Sequence, residues 1–133
     1  MRLTVRSEYA LLALVHLAGH PGQSYVAVHH IAEAQRIPEK FLEQILLALK
    51  HAHYVQSLKG QGGGYRLAKP PKAISLAEVI RLFDGPLAPT ESVSRYFYES
   101  TPIERAPRIL KILKQIRDHV SRTLEKTTIA DVM

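Results

Sequence analysis

The sequence predicts a mainly α-helical chain that carries one small β-hairpin. Apolar residues recur at helical spacing in five segments, which predicts five helices. Two short alternating runs flank a glycine cluster, "LKGQGGGYRLA" at 58–68, which predicts the hairpin. The last helical pattern is long and runs from Pro107 to about Lys126. Together these elements predict two units, residues 1–84 with the hairpin at 54–68, and residues 85–133.

The composition limits the classes of function. The chain has 133 residues, 46% of them hydrophobic, so it can bury a core, but no apolar run is long enough to span a membrane. The start is charged and lacks the apolar core of a signal peptide, which predicts a cytoplasmic protein. There is no cysteine, which excludes disulfides and thiolate metal sites. The net charge of +6 predicts an anionic partner, and residues 1–72 hold most of the surplus, with nine Lys and Arg against four Asp and Glu.

The first three helices have the layout of a helix-turn-helix. A helix over 5–18 is apolar on most faces and ends at 19–22, Gly-His-Pro-Gly. A second helix covers 28–35. After a tight turn at Arg36-Ile37, Pro38 begins a third helix, "PEKFLEQILLALKHA", whose apolar side chains share one side. Any hairpin of two helices would give a similar pattern, so this signal alone does not establish the motif.

The glycine cluster can be interpreted as a phosphate cradle or as the tip of a hairpin. A phosphate cradle needs a helix after the glycines or a Gly-Lys-Ser/Thr ending, but here the strand-like Tyr65-Arg66-Leu67 follows. A hairpin tip fits, because glycines allow positive φ and a close approach to a partner. Lys59 and Arg66 flank the tip with positive charge, which suits the minor groove of DNA. The pattern favours a DNA-binding wing over a merely flexible turn.

The second half of the chain predicts a linker and a dimerisation helix. Ser75-Leu76-Ala77-Glu78 is a capping box that opens a fourth helix, which ends at Asp84-Gly85-Pro86. Residues 85–101 show no clear periodicity and include three adjacent aromatic residues, which are candidates for contact with a small-molecule or protein effector or with a second subunit. Beyond Pro107 the apolar positions repeat as a heptad-like seam, which predicts a homodimer. The seam comprises Ile109, Leu113, Ile116, Val120 and Leu124.

These segments together resemble the Rrf2 family of bacterial transcription regulators. The opening "MRLTVRSEYALLAL", the segment "IAEAQRIPEKFLEQIL", the hairpin "LKGQGGGYRLAK" and the ending "TLEKTTIADV" are all similar to motifs of that family. The resemblance covers nearly the whole chain. It implies a winged helix-turn-helix fold with a long C-terminal dimerisation helix. It also implies a repressor that binds double-stranded DNA sequence-specifically as a homodimer, on a palindromic operator.

The chain departs from the family pattern at the wing and in the linker. Lys59 stands where the family usually has Arg, and Phe41 where Tyr is common. Because lysine lacks the planar fork of arginine, we expect looser selectivity in the minor groove. Many family members hold an iron–sulfur cluster through cysteines between the fourth helix and the long helix. The corresponding segment, "GPLAPTESVSRYFYESTPIERAP", has none and resembles the cluster-free CymR type, so we expect no cofactor.

The predicted DNA contacts come from the start of the chain, the helix-turn-helix and the wing. The resemblance implies base reading by the third helix and a minor-groove contact at Lys59. On the third helix, the carboxylate of Glu43 can accept a hydrogen bond from a cytosine amino group, and the amide of Gln44 can pair with an adenine edge. The predicted DNA-binding set is Arg2, Thr4, Arg6, His29, Pro38, Glu39, Lys40, Glu43, Gln44, Lys50, Lys59, Gly60, Gln61, Gly62, Gly63, Gly64 and Tyr65.

Other functions fit the sequence less well. The acidic residues are scattered and no Ser/His/Asp set is suggested, so we do not expect an enzyme. Histidines at adjacent or i, i+2 positions of a helix point in different directions. Neither His29-His30 nor His51-x-His53 therefore predicts a metal site. The basic last helix could lie on a membrane, but its narrow stripe favours a dimer seam. A winged helix that binds RNA or protein stays open as the alternative to duplex DNA.

Overall fold

The computed structural model describes residues 1–20 and 24–133. Its helices are α1 (Val5–Ala18), α2 (Val28–Gln35), α3 (Glu39–His51), α4 (Leu76–Asp84), α5 (Pro107–Lys126) and α6 (Ile129–Val132), and its strands are β1 (Val55–Leu58) and β2 (Gly64–Leu67). Single turns of 3-10 helix cover Pro71–Ala73, Glu91–Val93 and Pro102–Arg105. The predicted fold, mainly α with one small antiparallel hairpin, is confirmed.

One apolar core joins α1, α2, α3 and the base of the hairpin. Leu14 of α1, Ile31 of α2 and Leu42 of α3 have no exposed surface, and Val55 of β1 is almost fully buried. Burying a side chain of this size stabilises a fold by about 1.5–3 kcal/mol. This shared core therefore fixes α3 and the hairpin relative to each other.

The end of the chain returns to this core. Ile129 of α6 is fully buried among the core residues of α1, α2 and α3. Its N–H donates to the Ile74 carbonyl at 2.9 Å, and the Leu76 N–H donates to the Thr127 carbonyl at the same distance. The predicted boundary at residue 84 stays a prediction, but the last residues pack with the first unit rather than with the linker.

Some element limits differ from the predicted ones by one residue. Pro38 precedes α3 instead of beginning it: its ψ of 126° is extended, and its carbonyl accepts the Leu42 N–H at 2.9 Å. The proline ring fixes φ but leaves ψ free, so the residue can cap the helix from outside. The first strand begins at Val55 rather than Tyr54, and the second at Gly64. Helix α1 ends at Ala18, and Pro21 and Gly22 of its predicted end lie outside the described residues.

The predicted capping box opens α4 and links it to the hairpin. The Ser75 N–H donates to Glu78 Oε2 at 2.8 Å, and the Glu78 N–H donates to Ser75 Oγ at 3.1 Å. The Tyr54 hydroxyl donates to Glu78 Oε1 at 3.1 Å. Burial, the negative charge of Glu78 and this hydrogen bond raise the pKa of Tyr54 to about 12. The carboxylate of Glu78 thus both caps α4 and accepts a hydrogen bond from Tyr54, the residue before β1.

We expect acid to weaken the fold through Glu78. Burial alone would raise the pKa of this carboxyl, but hydrogen bonds from Ser75 and Tyr54 outweigh burial and hold the pKa below its usual 4.5. A carboxyl group whose pKa is lowered by folding adds stability above its unfolded pKa, and that stability is lost as the pH falls through the folded value. The free energy of unfolding, measured in urea between about pH 5 and pH 3, should therefore fall.

Glu78→Gln should flatten this fall, because the glutamine does not titrate. The matched control is Glu33→Gln on the exposed surface of α2. In this variant the free energy of unfolding should fall with decreasing pH as steeply as in the wild type. Equal slopes in all three proteins would contradict the role given to Glu78.

Candidate nucleic-acid interface

Arg36 makes the turn between α2 and α3. Its backbone lies in the left-handed region, with φ 55° and ψ 48°, which is uncommon for a residue other than glycine. The next residue, Ile37, is buried and its N–H donates to the Ala32 carbonyl at 2.9 Å. A buried anchor directly after the left-handed residue fixes the angle between the two helices.

The outward face of α3 is polar except at one position. Its inward side chains Leu42, Ile45, Leu46 and Leu49 are fully buried. The predicted reading residues on this helix, Glu39, Lys40, Glu43, Gln44 and Lys50, are all exposed. The exception is Leu47, an exposed leucine among them that the sequence reasoning missed. Its helical spacing of four residues from Glu43 could have revealed it.

The hairpin presents a narrow, side-chain-poor tip. Strands β1 and β2 pair antiparallel, with Val55 opposite Leu67 and Leu58 opposite Gly64. The tip is closed by a hydrogen bond from the Gly63 N–H to the Gly60 carbonyl at 3.0 Å. The predicted contact residues Lys59, Gly60, Gln61 and Gly62 are exposed at this end of the hairpin. The tip therefore has the shape expected of a wing.

Two of the four glycines have a packing reason that the sequence did not show. A Cβ on Gly63 would lie 2.1 Å from the Leu58 carbonyl oxygen, and a Cβ on Gly64 would lie 2.0 Å from the Val26 carbonyl oxygen. Val26 and Tyr65 exchange backbone hydrogen bonds of 2.8 Å, which adds a third strand-like segment beside β2. Gly64 thus lets the segment before α2 approach β2 closely.

Arg66 does not flank the tip as the sequence predicted. Its Nε donates to Gln56 Oε1 at 3.2 Å, and its guanidinium lies 4.4 Å from the centre of the Tyr25 ring. Strand pairing places Arg66 opposite Gln56, two positions from the tip. Of the two predicted flanking cations, Lys59 is exposed beside the tip and Arg66 is held at the base of the hairpin.

The reading face of α3 and the base of the wing lie side by side. Burial raises the pKa of Tyr65 on β2, and the negative charge of Glu43 on α3 raises it further. An effect of one residue's charge on the other requires that the two be close in space. The structure therefore brings together two predicted DNA-binding residues from different elements, which are 22 positions apart in the sequence.

The predicted contacts near the start of the chain are tied to α4 instead. The Thr4 hydroxyl and N–H donate to the Asp84 carboxylate at 2.5 and 2.9 Å, and Thr4 precedes the first residue of α1. The Arg6 guanidinium lies 5.3 Å from the centre of the Phe83 ring. Arg2 is exposed, as is His29, whose ring meets that of His30 edge-on at 4.2 Å. Contact of these residues with DNA stays a prediction.

Burial alone would raise the pKa of Asp84, but hydrogen bonds from Thr4 and the charge of Arg6 hold that pKa below its usual value. The carboxylate is thus held in its charged form between the end of α4 and the start of α1. This contact was not predicted, because nothing local in the sequence relates residues 4 and 84.

Helix α5 leaves an apolar stripe uncovered. Ser121 is its only buried residue, and Ile109, Ile112 and Ile116 are 48%, 56% and 45% exposed. Ile112 was not in the predicted seam, and it widens the stripe. At the other end of the seam, Leu124 packs within its own chain against Ala77, Ile80 and Leu87. Within residues 1–20 and 24–133, no helix has both the length and the apolar content to cross a membrane.

The linker segment is folded onto α5. The Arg117 guanidinium donates to the Val93 carbonyl at 2.9 Å, and Arg95 pairs with Asp118 at 3.0 Å. Ser92, Val93 and Ser94 are buried, and the 3-10 turn Glu91–Val93 is the local helix of a segment that is otherwise a loop. The three adjacent aromatic residues Tyr96, Phe97 and Tyr98 are all exposed.

Comparisons with known proteins agree with this arrangement. Residues 3–133 match the family model Rrf2, described as iron-dependent transcriptional regulator. The chain is 37% identical over 133 residues to a candidate HTH-type transcriptional regulator of Mycobacterium tuberculosis, covering 99% of this chain and 81% of that protein. It is 30% identical over 132 residues to the HTH-type transcriptional regulator CymR of Bacillus subtilis, covering 99% and 89%. The solved structure of CymR, the global cysteine regulator of B. subtilis, is similar with a TM-score of 0.80 and 30% sequence identity, over 99% of this chain and 95% of that one.

The residues of this chain do not fit a cysteine-ligated iron site. The sequence contains no cysteine. In the described parts of the chain, no three His, Asp or Glu side chains come together in a way that could hold a metal ion. The described residues therefore offer no ligand set for such an iron site.

The helix-turn-helix, the adjoining wing and the match over residues 3–133 all point to the same class of protein. Recognition of duplex DNA is accordingly favoured over the RNA-binding or protein-binding alternative. The chain belongs to the Rrf2 family of DNA-binding transcriptional regulators.

Proposed function

We propose that this regulator is a homodimeric repressor that binds a palindromic operator in the cytoplasm, with α3 in the major groove and the wing in the minor groove. The proposal is supported by the shared core of the two elements, since Leu42 of α3 and Tyr65 of β2 pack in one apolar cluster, and by the effect of the Glu43 charge on the pKa of Tyr65. Because α3 and the wing share one surface, a single duplex can meet both. Blocking polymerase needs only occupancy of the operator, and no catalytic residue or cofactor is part of the proposal.

Base recognition would come from α3. The exposed Glu43 can accept a hydrogen bond from a cytosine amino group, and Gln44 can pair with an adenine edge. Lys40 and Lys50 lie on the exposed surface of the same helix, where their charges can meet phosphates on either side of the groove. Specificity and positioning would thus be divided between the amide and carboxylate side chains and the lysines.

The apolar stripe on α5 supports the homodimer. Three isoleucines on one edge of a 20-residue helix would otherwise remain in water. A second copy of the same helix covers them by two-fold symmetry. The same symmetry places two reading heads, each the helix-turn-helix and wing of one protomer, side by side in the dimer. Two heads related by a two-fold axis require two half-sites with the same symmetry, hence a palindromic operator.

The exposed aromatic residues of the linker suggest where a signal could act. Tyr96, Phe97 and Tyr98 lie on a segment that hydrogen bonds join to α5, and the Arg81 guanidinium of α4 lies 4.8 Å from the centre of the Tyr96 ring. A small-molecule or protein effector bound there would contact the helix that sets the spacing of the two heads. Such an effector must bind the free and the DNA-bound protein with unequal affinity.

The wing contact is tested by the salt dependence of binding. An operator recovered from a random duplex pool is titrated at several salt concentrations with wild type, Lys59→Ala and the control Lys72→Ala. Lys72 is also an exposed lysine, but it lies in the turn after the hairpin. Lys59→Ala should weaken binding and reduce the slope of log affinity against log salt by about one, since one phosphate contact is lost.

Lys72→Ala should keep the wild-type slope. A slope unchanged by Lys59→Ala would show that Lys59 does not neutralise a phosphate. Failure to recover any preferred duplex would contradict sequence-specific binding altogether.

A further inference from the structure

Helix α3 carries one large apolar side chain that the core does not use. Leu47 is 46% exposed, whereas Ile45, Leu46 and Leu49 around it are fully buried. Exposed leucines occur singly on most protein surfaces, so exposure alone assigns no role. The position of Leu47 on α3 supplies the second observation.

Leu47 lies in the middle of the polar face that would enter the major groove. It follows Glu43 by four residues and Gln44 by three, and Lys50 follows it by three, so the four side chains share one side of the helix. The other three are charged or polar and exposed. A leucine at this place stays in water in the free protein and is desolvated only when the face meets a partner.

The major groove offers one apolar group that suits such a side chain, the C5 methyl of thymine. We propose that Leu47 reads a thymine methyl in each half-site, an inference that rests on the proposed docking of α3. Four residues of helix rise about 6 Å, nearly two base-pair steps of about 3.4 Å. The thymine that contacts Leu47 therefore lies about two base pairs from the pair that Glu43 reads.

The test removes the contact between Leu47 and the thymine methyl once from the DNA and once from the protein. Each thymine of the recovered operator is replaced in turn by deoxyuridine, which lacks only the methyl group, and affinity is measured with wild type and Leu47→Ala. At one thymine per half-site the replacement should weaken wild-type binding about fourfold, the effect of leaving one methyl-sized group in water. In Leu47→Ala the same replacement should have no effect.

The control is Leu82→Ala on α4, which removes the same atoms from a leucine that is 42% exposed outside the proposed interface. It should keep the fourfold effect of deoxyuridine. A fourfold effect that persists in Leu47→Ala, or an operator in which no thymine methyl affects the wild type, would overturn the assignment. A change in the dimer dissociation constant of Leu47→Ala would also overturn it, since Leu47 would then contact protein.

A further variant separates failure of this inference from failure of the proposed docking. Glu43→Ala should relax base selectivity at one position of each half-site. If it does so while the deoxyuridine series is flat, only the role of Leu47 is wrong. If it weakens binding to specific and random duplexes equally, α3 does not read bases by this face and the proposed docking itself is wrong.

Discussion

Ile112→Glu is expected to convert the dimer to a monomer and to abolish tight operator binding with it. Ile112 is the most exposed of the α5 isoleucines, so the substitution should leave the fold of the single chain intact. In the dimer it would bury a carboxylate without a partner, at a cost of about 3 kcal/mol or more. That cost corresponds to a rise in the dimer dissociation constant on the order of 100-fold.

Sedimentation velocity across a concentration series measures this constant, and circular dichroism checks that the chain is folded. Gln115→Glu adds the same charge at a neighbouring exposed position outside the isoleucine stripe and should remain dimeric. A wild-type protein that is monomeric at micromolar concentration, or an Ile112→Glu variant as dimeric as Gln115→Glu, would contradict the proposed interface.

Gly64→Ala is expected to have the largest effect of any single change in the wing. The new Cβ would lie 2.0 Å from the Val26 carbonyl oxygen, and the φ of 143° is itself unfavourable for alanine. Strain and overpacking of this kind together cost about 3 kcal/mol. For a chain of this size the melting temperature should fall by roughly 10 °C, and operator binding should weaken because the hairpin is displaced.

Gly60→Ala is the matched control within the same hairpin. Its φ of 89° is also positive, but a Cβ there meets nothing within 4 Å, so only the backbone strain applies. Its loss should be about 1 kcal/mol, detectable by thermal unfolding as a smaller shift. Equal shifts in the two variants would mean that the contact between Gly64 and Val26 does not hold the wing in place.

Elements that depend on nearby residues could be predicted from the sequence. Helical spacing of apolar residues gave the extent of α2 and α5, and the capping box at Ser75 gave the start of α4. The hairpin followed from two alternating runs around glycines. Each of these signals lies within a few residues of the element it defines, because helix caps, turns and amphipathic stripes are local interactions.

The exposed reading face of α3 was predictable for the same reason. The buried and exposed positions of one helix follow from its period once the core side is known. Leu47 was missed because only polar side chains were considered for the outer face of α3. The helix period places it on the outer side, where the structure shows it exposed.

The sequence by itself determined the order of elements, the hairpin and the basic character of residues 1–72, since all of these follow from local spacing and composition. Only the tertiary structure decided that Gly64 is required by the Val26 backbone, that Arg66 is held at the base of the wing and that Thr4 binds Asp84. It also decided that Ile129 packs into the core formed by α1, α2 and α3. These contacts join residues far apart in the chain, and their partners are selected by the packing of whole elements, which no short stretch of sequence encodes.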